Sequence, residues 1–401
     1  MATLEADLAI IGTGIIGASC AYQAARRGLK VVMVDARMPT AGTSGACDGY
    51  VSISSKKPGL VMELAALSKR LYPEVVADLG RDVEYRTCGG LLIIEDPATL
   101  PLIEARAAGV RSYGFDMVAL DRAGMLEVEP NLSPDLHGAY RCPAEAIVNP
   151  FLMTIGMVAR AVERGAQTLW QAKPIAVDIA GDRIVAIDTT AGRIEAEQFV
   201  FSAGVWSGEL GALVGLDLPV IPRLGELVVT ARSPGIATHY LMSANYLAAK
   251  ANPEAAESSS DPLVRLGHGF CLEVNALGQC IIGSTRAFVG YQRPSSAEGI
   301  AAIVGEAIKR LPALARVPIL RSFAGLRPYL PDKQPIIGRS SRLTNLLVAT
   351  GHEGDGICLS VITGDLIADL ATGRPPRADI AALTPDRFPP LNQSAAVAKV
   401  A

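Results

Sequence analysis

A glycine-rich turn near the N-terminus constrains the fold of this chain more than any other feature. Gly12, Gly14 and Gly17 match the pattern G-x-G-x-x-G and follow a short apolar run, Leu8 to Ile11, that is typical of a buried strand. We predict a helix after the turn, over Ala18 to Arg27. Such a turn directs backbone N–H groups and the positive end of the helix dipole at a pyrophosphate. The alternative is a glycine turn that serves packing alone.

An acidic residue at the end of the next predicted strand limits which dinucleotide cofactor the chain could bind. Val31 to Val34 reads as a second buried strand, and Asp35 follows it directly. A carboxylate about 20 residues past such a turn accepts hydrogen bonds from both ribose hydroxyls of an adenosine. It disfavours the 2′-phosphate of NADP, whereas NAD and FAD both remain open at this point. The candidate contacts of this βαβ unit are Gly12, Gly14, Ile15, Ile16, Gly17, Asp35, Ala36 and Arg37.

Strand patterns of one sheet recur at the start, middle and end of the chain. We predict a helix over Phe151 to Leu169, followed by alternating strands over Pro174 to Ile187 and Arg193 to Phe201. Asn345 to Gly351 repeats the pattern of a buried strand that runs into a glycine turn. A parallel sheet with both faces covered is therefore expected.

The intervening stretches differ in character. About Val83 to Ala144 and Arg223 to Ser322 contain strand-like pieces with long connections, which suits a second, mixed sheet inserted into the first domain. With 401 residues, 50% of them hydrophobic, the chain exceeds what one core usually organises. One connection, Ala248 to Pro262, is rich in Ala, Ser and Glu. We interpret it as a surface loop, with a lid over the substrate as the alternative.

Composition excludes several kinds of partner. Lys and Arg number 37 against 40 Asp and Glu, a net charge of -3 without a basic tract, so no nucleic acid is expected. The 7 cysteines form no C-x-x-C pair and the 4 histidines have no ligand spacing, which predicts no metal site and a cytoplasmic location. The apolar run Leu8 to Ile16 is interrupted by glycines and is shorter than the ~20 residues of a spanning helix. We therefore expect no export signal and no membrane span.

Three further motifs bear on the cofactor. The first is the small-residue loop Ala41 to Ala46, and the second is Ala203-Gly204-Val205-Trp206-Ser207 after a predicted strand. The third runs from Gly325-Leu326-Arg327-Pro328 through Pro335-Ile336-Ile337-Gly338 to Gly351-His352-Glu353-Gly354-Asp355-Gly356-Ile357, before a helix predicted over Cys358 to Leu370. Alone, the first would be an ordinary Gly/Ser loop and Trp206 a core residue. Together the motifs resemble the D-amino acid oxidase (DAO) family of flavoproteins, in its glycine oxidase and sarcosine oxidase branch.

The resemblance implies FAD as the cofactor. In the family the first loop reaches the pyrophosphate and the flavin edge, and the last loop and helix N-terminus lie beside the flavin pyrimidine. The cysteine with which sarcosine oxidases tether flavin is absent near Gly325, so non-covalent FAD is expected. The implied contacts are Gly42, Thr43, Ser44, Val177, Ala203, Gly204, Trp206, Gly325, Gly351, Glu353, Gly354, Asp355, Gly356 and Ile357.

The resemblance also implies the architecture. The expected fold class is α/β, with a Rossmann-like FAD-binding domain of the GR2/DAO type and an interleaved α+β substrate domain built on a mixed, mainly antiparallel sheet. We predict a discontinuous FAD-binding domain of residues 1–82, 145–222 and 323–385. The substrate-binding domain would comprise 83–144 and 223–322, and 386–401 would form a C-terminal tail.

Arg327 is the main candidate for binding substrate. It matches the family arginine that binds the substrate carboxylate, a task suited to a planar guanidinium. A surface ion pair is the alternative. Glu353 and Asp355 replace neutral or basic residues of glycine oxidases, so they could attract a basic substrate group, or Glu353 could belong to a hydrogen-bond network away from substrate. We interpret His352 as structural, and no residue is an outstanding candidate for the base.

These residues predict an FAD-dependent enzyme that oxidises the C–N bond of an amino acid or N-alkyl amino acid. The product would be an imine that hydrolyses to an oxo acid and an amine. The His352-Glu353-Gly354-Asp355-Gly356 motif is more similar to the FAD-bearing β subunits of opine oxidases and D-hydroxyproline dehydrogenases, relatives of hydrogen cyanide synthase. That similarity implies partner subunits for electron transfer and an opine or D-hydroxyproline as substrate. The alternatives are a stand-alone glycine or D-amino acid oxidase, a catalytically silent FAD-containing subunit, and an NAD-dependent dehydrogenase.

Overall fold

The computed structural model describes residues 3–251 and 260–389. The predicted connection from Ala248 to Pro262 lies mostly outside these ranges, so the structure does not test whether it is a surface loop or a lid. Most of the predicted C-terminal tail, from residue 390 onward, also lies outside the described residues.

Strands and helices alternate along most of the described chain. The strands are β1 (Thr3–Ile11), β2 (Val31–Val34), β3 (Tyr50–Val51), β4 (Gly90–Ile94), β5 (Val118–Asp121), β6 (Gly138–Cys142), β7 (Ala146–Ile147), β8 (Gln167–Leu169), β9 (Pro174–Ala180), β10 (Arg183–Thr189), β11 (Arg193–Phe201), β12 (Ile221–Arg232), β13 (Tyr240–Ser243), β14 (Cys271–Val274), β15 (Gln279–Gly283), β16 (Ile319–Tyr329), β17 (Ile336–Arg339) and β18 (Leu346–Thr350). The helices are α1 (Ile15–Arg26), α2 (Leu60–Leu79), α3 (Leu100–Ser112), α4 (Arg122–Val128), α5 (Pro150–Glu163), α6 (Ser207–Ala212), α7 (Ala244–Ala251), α8 (Pro262–Arg265), α9 (Ala297–Arg310) and α10 (Gly356–Ala371).

The first sheet joins strands from the start, middle and end of the chain, as predicted. Its order is β17-β18-β11-β1-β2-β8, and the pairs from β18 to β8 are parallel. The meander β9-β10-β11 adds antiparallel strands beside β11. Leu8 and Ile10 face the core shared with α1 and α10, whereas Ala9 and Ile11 face a second core. Both faces of the parallel sheet are therefore covered, because neither set of side chains can stay in water.

The second sheet is mixed and mainly antiparallel, which confirms the expected fold class. Its order is β16-β12-β15-β14-β13-β4-β6-β5, and only the pair of β13 with β4 is parallel among these neighbours. The long pair of β12 and β16 runs in register from Ile221 with Tyr329 to Leu227 with Phe323. The division into two domains stays a prediction, and its boundary at 322/323 falls inside β16.

One predicted helix is wrong at its end. The apolar pattern suggested a helix over Phe151 to Leu169, but α5 ends at Glu163 and residues Gln167–Leu169 form β8 beside β2. Gly165, with a φ of 94°, turns the chain between the two elements. A short buried strand and a buried helix turn look alike in an apolar run, so periodicity alone could not separate them.

No helix within residues 3–251 and 260–389 is long and apolar enough to cross a membrane.

The tight contact between α10 and α1, which pack on the first sheet, gives a testable prediction. A Cβ on Gly364 of α10 would lie 2.6 Å from the backbone oxygen of Ser19 on α1. Because the clashing atom is backbone, we expect Gly364→Ala to cost about 1–3 kcal/mol and, in a chain of this size, to lower the melting temperature by roughly 1–4 °C. The control is Gly305→Ala in α9, where a Cβ meets nothing within 4 Å. Equal melting temperatures for the two variants would contradict the tight packing of α1 on α10.

Candidate active site

A cavity of about 1020 Å³ opens at the carboxyl ends of the parallel strands. Its volume is at the upper end of small-molecule sites, which suits an extended dinucleotide. Most of the predicted cofactor contacts line it: Gly12, Gly14, Ile15, Ile16, Asp35, Ala36, Arg37, Gly42, Thr43, Ser44, Ala203, Gly204, Trp206, Gly351, Glu353 and Gly356. The fold thus brings together segments that are far apart in sequence, as the crevice rule for open α/β sheets requires.

The glycine turn is held against the end of β11. Gly12 N donates to the Val34 oxygen over 2.8 Å, and Ser202 Oγ donates to the Gly12 oxygen over 2.8 Å. Gly12 has a φ of 99°, and a Cβ there would lie 2.6 Å from the Ser202 oxygen. Gly17 does not line the cavity. It faces the Gly12 oxygen instead, and its missing side chain lets α1 pack closely against that oxygen. The turn therefore leaves backbone amides facing the cavity.

The Asp35 carboxylate lines the cavity after β2, where the sequence predicts the adenosine. Its Oδ2 accepts hydrogen bonds from Thr13 N at 2.8 Å and Thr13 Oγ1 at 2.9 Å, and its Oδ1 accepts one from Arg37 N at 2.9 Å. The Arg37 guanidinium lies 4.4 Å from the centroid of the Trp206 ring, a cation–π contact that closes this wall. Oδ2 already accepts two hydrogen bonds, whereas Oδ1 accepts one and retains acceptor capacity for a ribose hydroxyl.

Two helix N-termini face the cavity, and neither is capped by the side chain of its own N-cap residue. The N-cap residues are Gly14 for α1 and Asp355 for α10, and neither makes a capping hydrogen bond with its side chain. Ser44 Oγ accepts from Ile15 N at 2.9 Å, which ties the small-residue loop to the start of α1. The helix dipoles, and the first-turn N–H groups other than that of Ile15, suit a pyrophosphate at one start and an anionic reduced flavin at the other. The residues present therefore fit FAD.

A second, smaller cavity of about 90 Å³ adjoins the first. Thr43, Ser44, Glu353 and Gly356 line both. Gly325, Gly354, Asp355 and Ile357, predicted as flavin contacts, line the smaller cavity together with Arg327. Val177 lines neither cavity, although Ile175 of the same strand lines the larger one. Its contact with adenine stays a prediction.

The Arg327 guanidinium is held by neutral acceptors. Its Nη2 donates to Ser284 Oγ at 2.8 Å and its Nη1 to the Thr285 oxygen at 3.1 Å. Within residues 3–251 and 260–389 it has no salt bridge, so a surface ion pair does not describe it. A Cβ on Gly225 would lie 2.5 Å from Arg327 Cζ, so the glycine makes room for the guanidinium over β12. Sequence reasoning missed Gly225, whose only signal is the register of β12 with β16.

Glu353 and Asp355 are both engaged by cations of the protein. Glu353 Oε1 lies 3.4 Å from Arg223 Nη1, and Asp355 Oδ1 lies 2.9 Å from Lys56 Nζ. Burial lowers the pKa of Arg223. Lys56 is almost completely buried, at 3% exposure, and lines the smaller cavity. Neither Lys56 nor Arg223 has a motif that would have identified it from sequence.

His352 is a buried ring. Burial lowers its pKa to about 4, so the imidazole is neutral near pH 7. Its Nε2 lies 3.0 Å from Thr363 Oγ1 on α10. This contact anchors the loop before α10 to the helix, which agrees with the structural interpretation.

A dinucleotide cavity that runs from a glycine turn to a second helix N-terminus, beside a cavity with an uncompensated arginine, defines a flavin-dependent oxidoreductase. Comparison with protein families agrees. The DAO family, described as FAD dependent oxidoreductase, matches residues 7–370, so the chain belongs to this family and FAD is its cofactor.

Relatives of known activity cover nearly the whole chain. It is 28% identical to the hydrogen cyanide synthase subunit HcnC of Pseudomonas aeruginosa, over 98% of both chains. It is also 28% identical to the glycine oxidase of Bacillus licheniformis, over 92% of this chain and 94% of the relative. Among solved structures, the glycine oxidase of Geobacillus kaustophilus superposes with a TM-score of 0.85 at 25% identity, over 96% of this chain and 99% of the other.

The position of Asp35 predicts its contribution to cofactor affinity. Asp35→Asn keeps the shape of the side chain but removes the charge that would accept the ribose hydroxyls. We expect the dissociation constant for FAD, measured by titrating the apoprotein, to rise roughly 10- to 100-fold. Asp116→Asn, at an exposed aspartate outside both cavities, is the control. Unchanged FAD affinity in Asp35→Asn would show that Asp35 only orders the turn.

Proposed function

We propose that this enzyme oxidises the carbon–nitrogen bond of a compact amino acid or N-alkyl amino acid. The observation that carries the proposal is Arg327, a guanidinium with neutral partners and no salt bridge in the described residues, in a cavity that adjoins the FAD cavity. A partly buried charge of this kind is stabilised when an anionic ligand completes its hydrogen bonds. The names of its relatives, which include glycine oxidases, support the same substrate class.

The protein would act mainly by positioning. FAD, when bound, supplies the acceptor for the hydride that leaves the substrate α carbon. Arg327 would hold the substrate carboxylate by paired hydrogen bonds, which fixes the α carbon relative to the cofactor. The backbone amides of Gly356 and Ile357 would offset negative charge at the start of α10, whereas those of Gly354 and Asp355 already donate to Glu353 and His352. Tyr50, Tyr240 and Tyr246 line the smaller cavity and would exclude water from it.

The size of the smaller cavity favours compact substrates. A space of about 90 Å³ supports compact substrates such as glycine, sarcosine, D-proline or D-hydroxyproline over an opine, which joins two amino acid skeletons. The salt bridges of Glu353 with Arg223 and of Asp355 with Lys56 also weaken the hypothesis that these acids bind a basic substrate group. Within the predicted substrates, the geometry therefore favours the cyclic and small N-alkyl amino acids over octopine or nopaline.

The relatives support two forms of the enzyme, a subunit of a larger complex and a stand-alone oxidase. The relative HcnC is named as a subunit, which supports partner subunits that carry electrons away. The glycine oxidases support a stand-alone oxidase that produces hydrogen peroxide. A catalytically silent FAD subunit would have no use for Arg327 and its cavity. The cysteines of the described residues form no disulfide, which supports the proposal of a cytoplasmic enzyme.

The visible spectrum of the purified protein tests the activity. Under anaerobic conditions we expect glycine, sarcosine, D-proline or D-hydroxyproline to bleach the flavin, and octopine and nopaline to bleach it more slowly or not at all. Rapid reoxidation by air would identify an oxidase, whereas reoxidation only by artificial acceptors would identify a dehydrogenase with partner subunits. A yellow protein that no amino acid bleaches would refute the proposed activity.

Arg327→Gln tests how the substrate is held. Loss of a partly buried charge pair should lower kcat/KM roughly 30- to 1000-fold, mainly through KM because the carboxylate is bound alike in the ground and transition states. Arg321→Gln is a matched control, since Arg321 is an exposed arginine of the same strand that stacks on Phe323. Equal steady-state constants for the two variants would exclude Arg327 from substrate binding.

A further inference from the structure

The charged residues of the smaller cavity do not all compensate one another. Its acidic residues are Asp48, Glu353 and Asp355, and its basic residues are Lys56 and Arg327. Glu353 pairs with a neighbouring arginine outside the lining, and Asp355 pairs with Lys56. Within residues 3–251 and 260–389, Asp48 and Arg327 are left without a salt bridge. One anion and one cation therefore face the same small space without a protein counterion.

Asp48 is oriented by neutral groups. Tyr240 Oη donates to Asp48 Oδ2 over 2.5 Å, and Cys271 Sγ lies 3.9 Å from the same oxygen. The Tyr240 ring is itself stacked on the Tyr50 ring, with 3.5 Å between the centroids. These contacts fix the direction of the carboxylate but leave its negative charge in place. The arrangement mirrors that of Arg327, which neutral oxygens also orient.

The acid next to Asp48 does not share its charge near pH 7. Glu273 is buried, and burial first, then the charge of Asp48, raises the pKa of Glu273 to about 8. Its Oε2 accepts a hydrogen bond from Gly49 N at 2.7 Å. A carboxyl group with a pKa near 8 is mostly protonated at pH 7, so the negative charge of this wall belongs to Asp48.

We propose that Asp48 binds the amino nitrogen of the substrate while Arg327 binds its carboxylate. The proposal rests on the proposed function and goes beyond it, because it makes the cavity selective for dipolar ligands over simple carboxylates. Each uncompensated charge costs free energy in a small, poorly solvated space, and a ligand with both charges removes both costs at once. The carboxylate of Asp48 can accept an N–H hydrogen bond whether the substrate nitrogen is protonated or has lost a proton to solvent.

The small-residue loop connects Asp48 to the strand that carries Arg327. Asp48 follows the small-residue loop Ala41 to Ala46, whose Thr43 and Ser44 line both cavities. Thr43 Oγ1 donates to the Leu326 oxygen over 2.5 Å, next to Arg327 on β16. The loop therefore joins the wall that carries Asp48 to the strand that carries Arg327. A change in the loop would move the two charges relative to each other.

Pairs of ligands that differ only in the nitrogen test the proposal. The probes are glycine against acetate and D-proline against cyclopentanecarboxylate, with binding to the oxidised holoenzyme followed by perturbation of the flavin spectrum, under anaerobic conditions. If an amino acid reduces the wild type, its dissociation constant is taken from the dependence of the anaerobic reduction rate on concentration. In Asp48→Asn we expect the amino acids to bind roughly 10- to 100-fold more weakly and the simple carboxylates to bind as in the wild type or more tightly.

Two variants make the outcomes unambiguous. Arg327→Gln should weaken the binding of both members of each pair, whereas Asp116→Asn at an exposed site should change neither. FAD content and melting temperature of each variant check that it is folded. If Asp48→Asn weakens both members equally, or neither, the proposal is overturned. The proposed function fails separately, when no amino acid reduces the wild type, and the ligand pairs still report on Asp48 in that case.

Discussion

The contact between the glycine turn and the end of β11 is the constraint on which the rest of the structure depends. Ser202 Oγ donates a hydrogen bond to the Gly12 oxygen, and the missing side chain of Gly17 lets α1 approach the same oxygen. This contact places the N-terminus of α1 over the carboxyl ends of five parallel strands. Because α10 packs on α1 through Gly364, the second helix N-terminus is placed by the same contact. Both anion-binding helix starts thus derive their positions from one turn.

The second sheet is joined to this frame by the pair of β12 and β16. Gly225 on β12 leaves space for the Arg327 guanidinium, and Gly325 lets β16 approach the loop at Ala46. The same loop contributes Thr43 to the FAD cavity and a bond to the Leu326 oxygen. The FAD cavity and the smaller cavity, which we propose to hold the substrate, therefore share a wall. A rigid shared wall is what a hydride transfer requires, since the two reacting atoms must be held within van der Waals distance.

Local patterns predicted the frame but not the charges around the substrate. The glycine turn, Asp35, the meander and the strand before Gly351 each carry a signal within a few residues, so their positions could be predicted from sequence. Arg327 was found through a family motif. Lys56, Asp48, Arg223 and Gly225 were missed, because their roles depend on strand register and on neighbours far along the chain. The boundary between α5 and β8 was missed for the opposite reason, since both elements share one apolar run.

Overall similarity cannot decide the substrate of this enzyme. A hydrogen cyanide synthase subunit and a glycine oxidase are each 28% identical to it over almost the whole chain. The L-proline dehydrogenase from P. horikoshii reaches a TM-score of 0.85 at 21% identity, which shows only that the fold is shared. The scaffold accommodates different substrates, so selectivity has to come from the few side chains that face the smaller cavity. There, Glu353 and Asp355 have cations of the protein as partners, so the charges that we propose the substrate to match are those of Asp48 and Arg327.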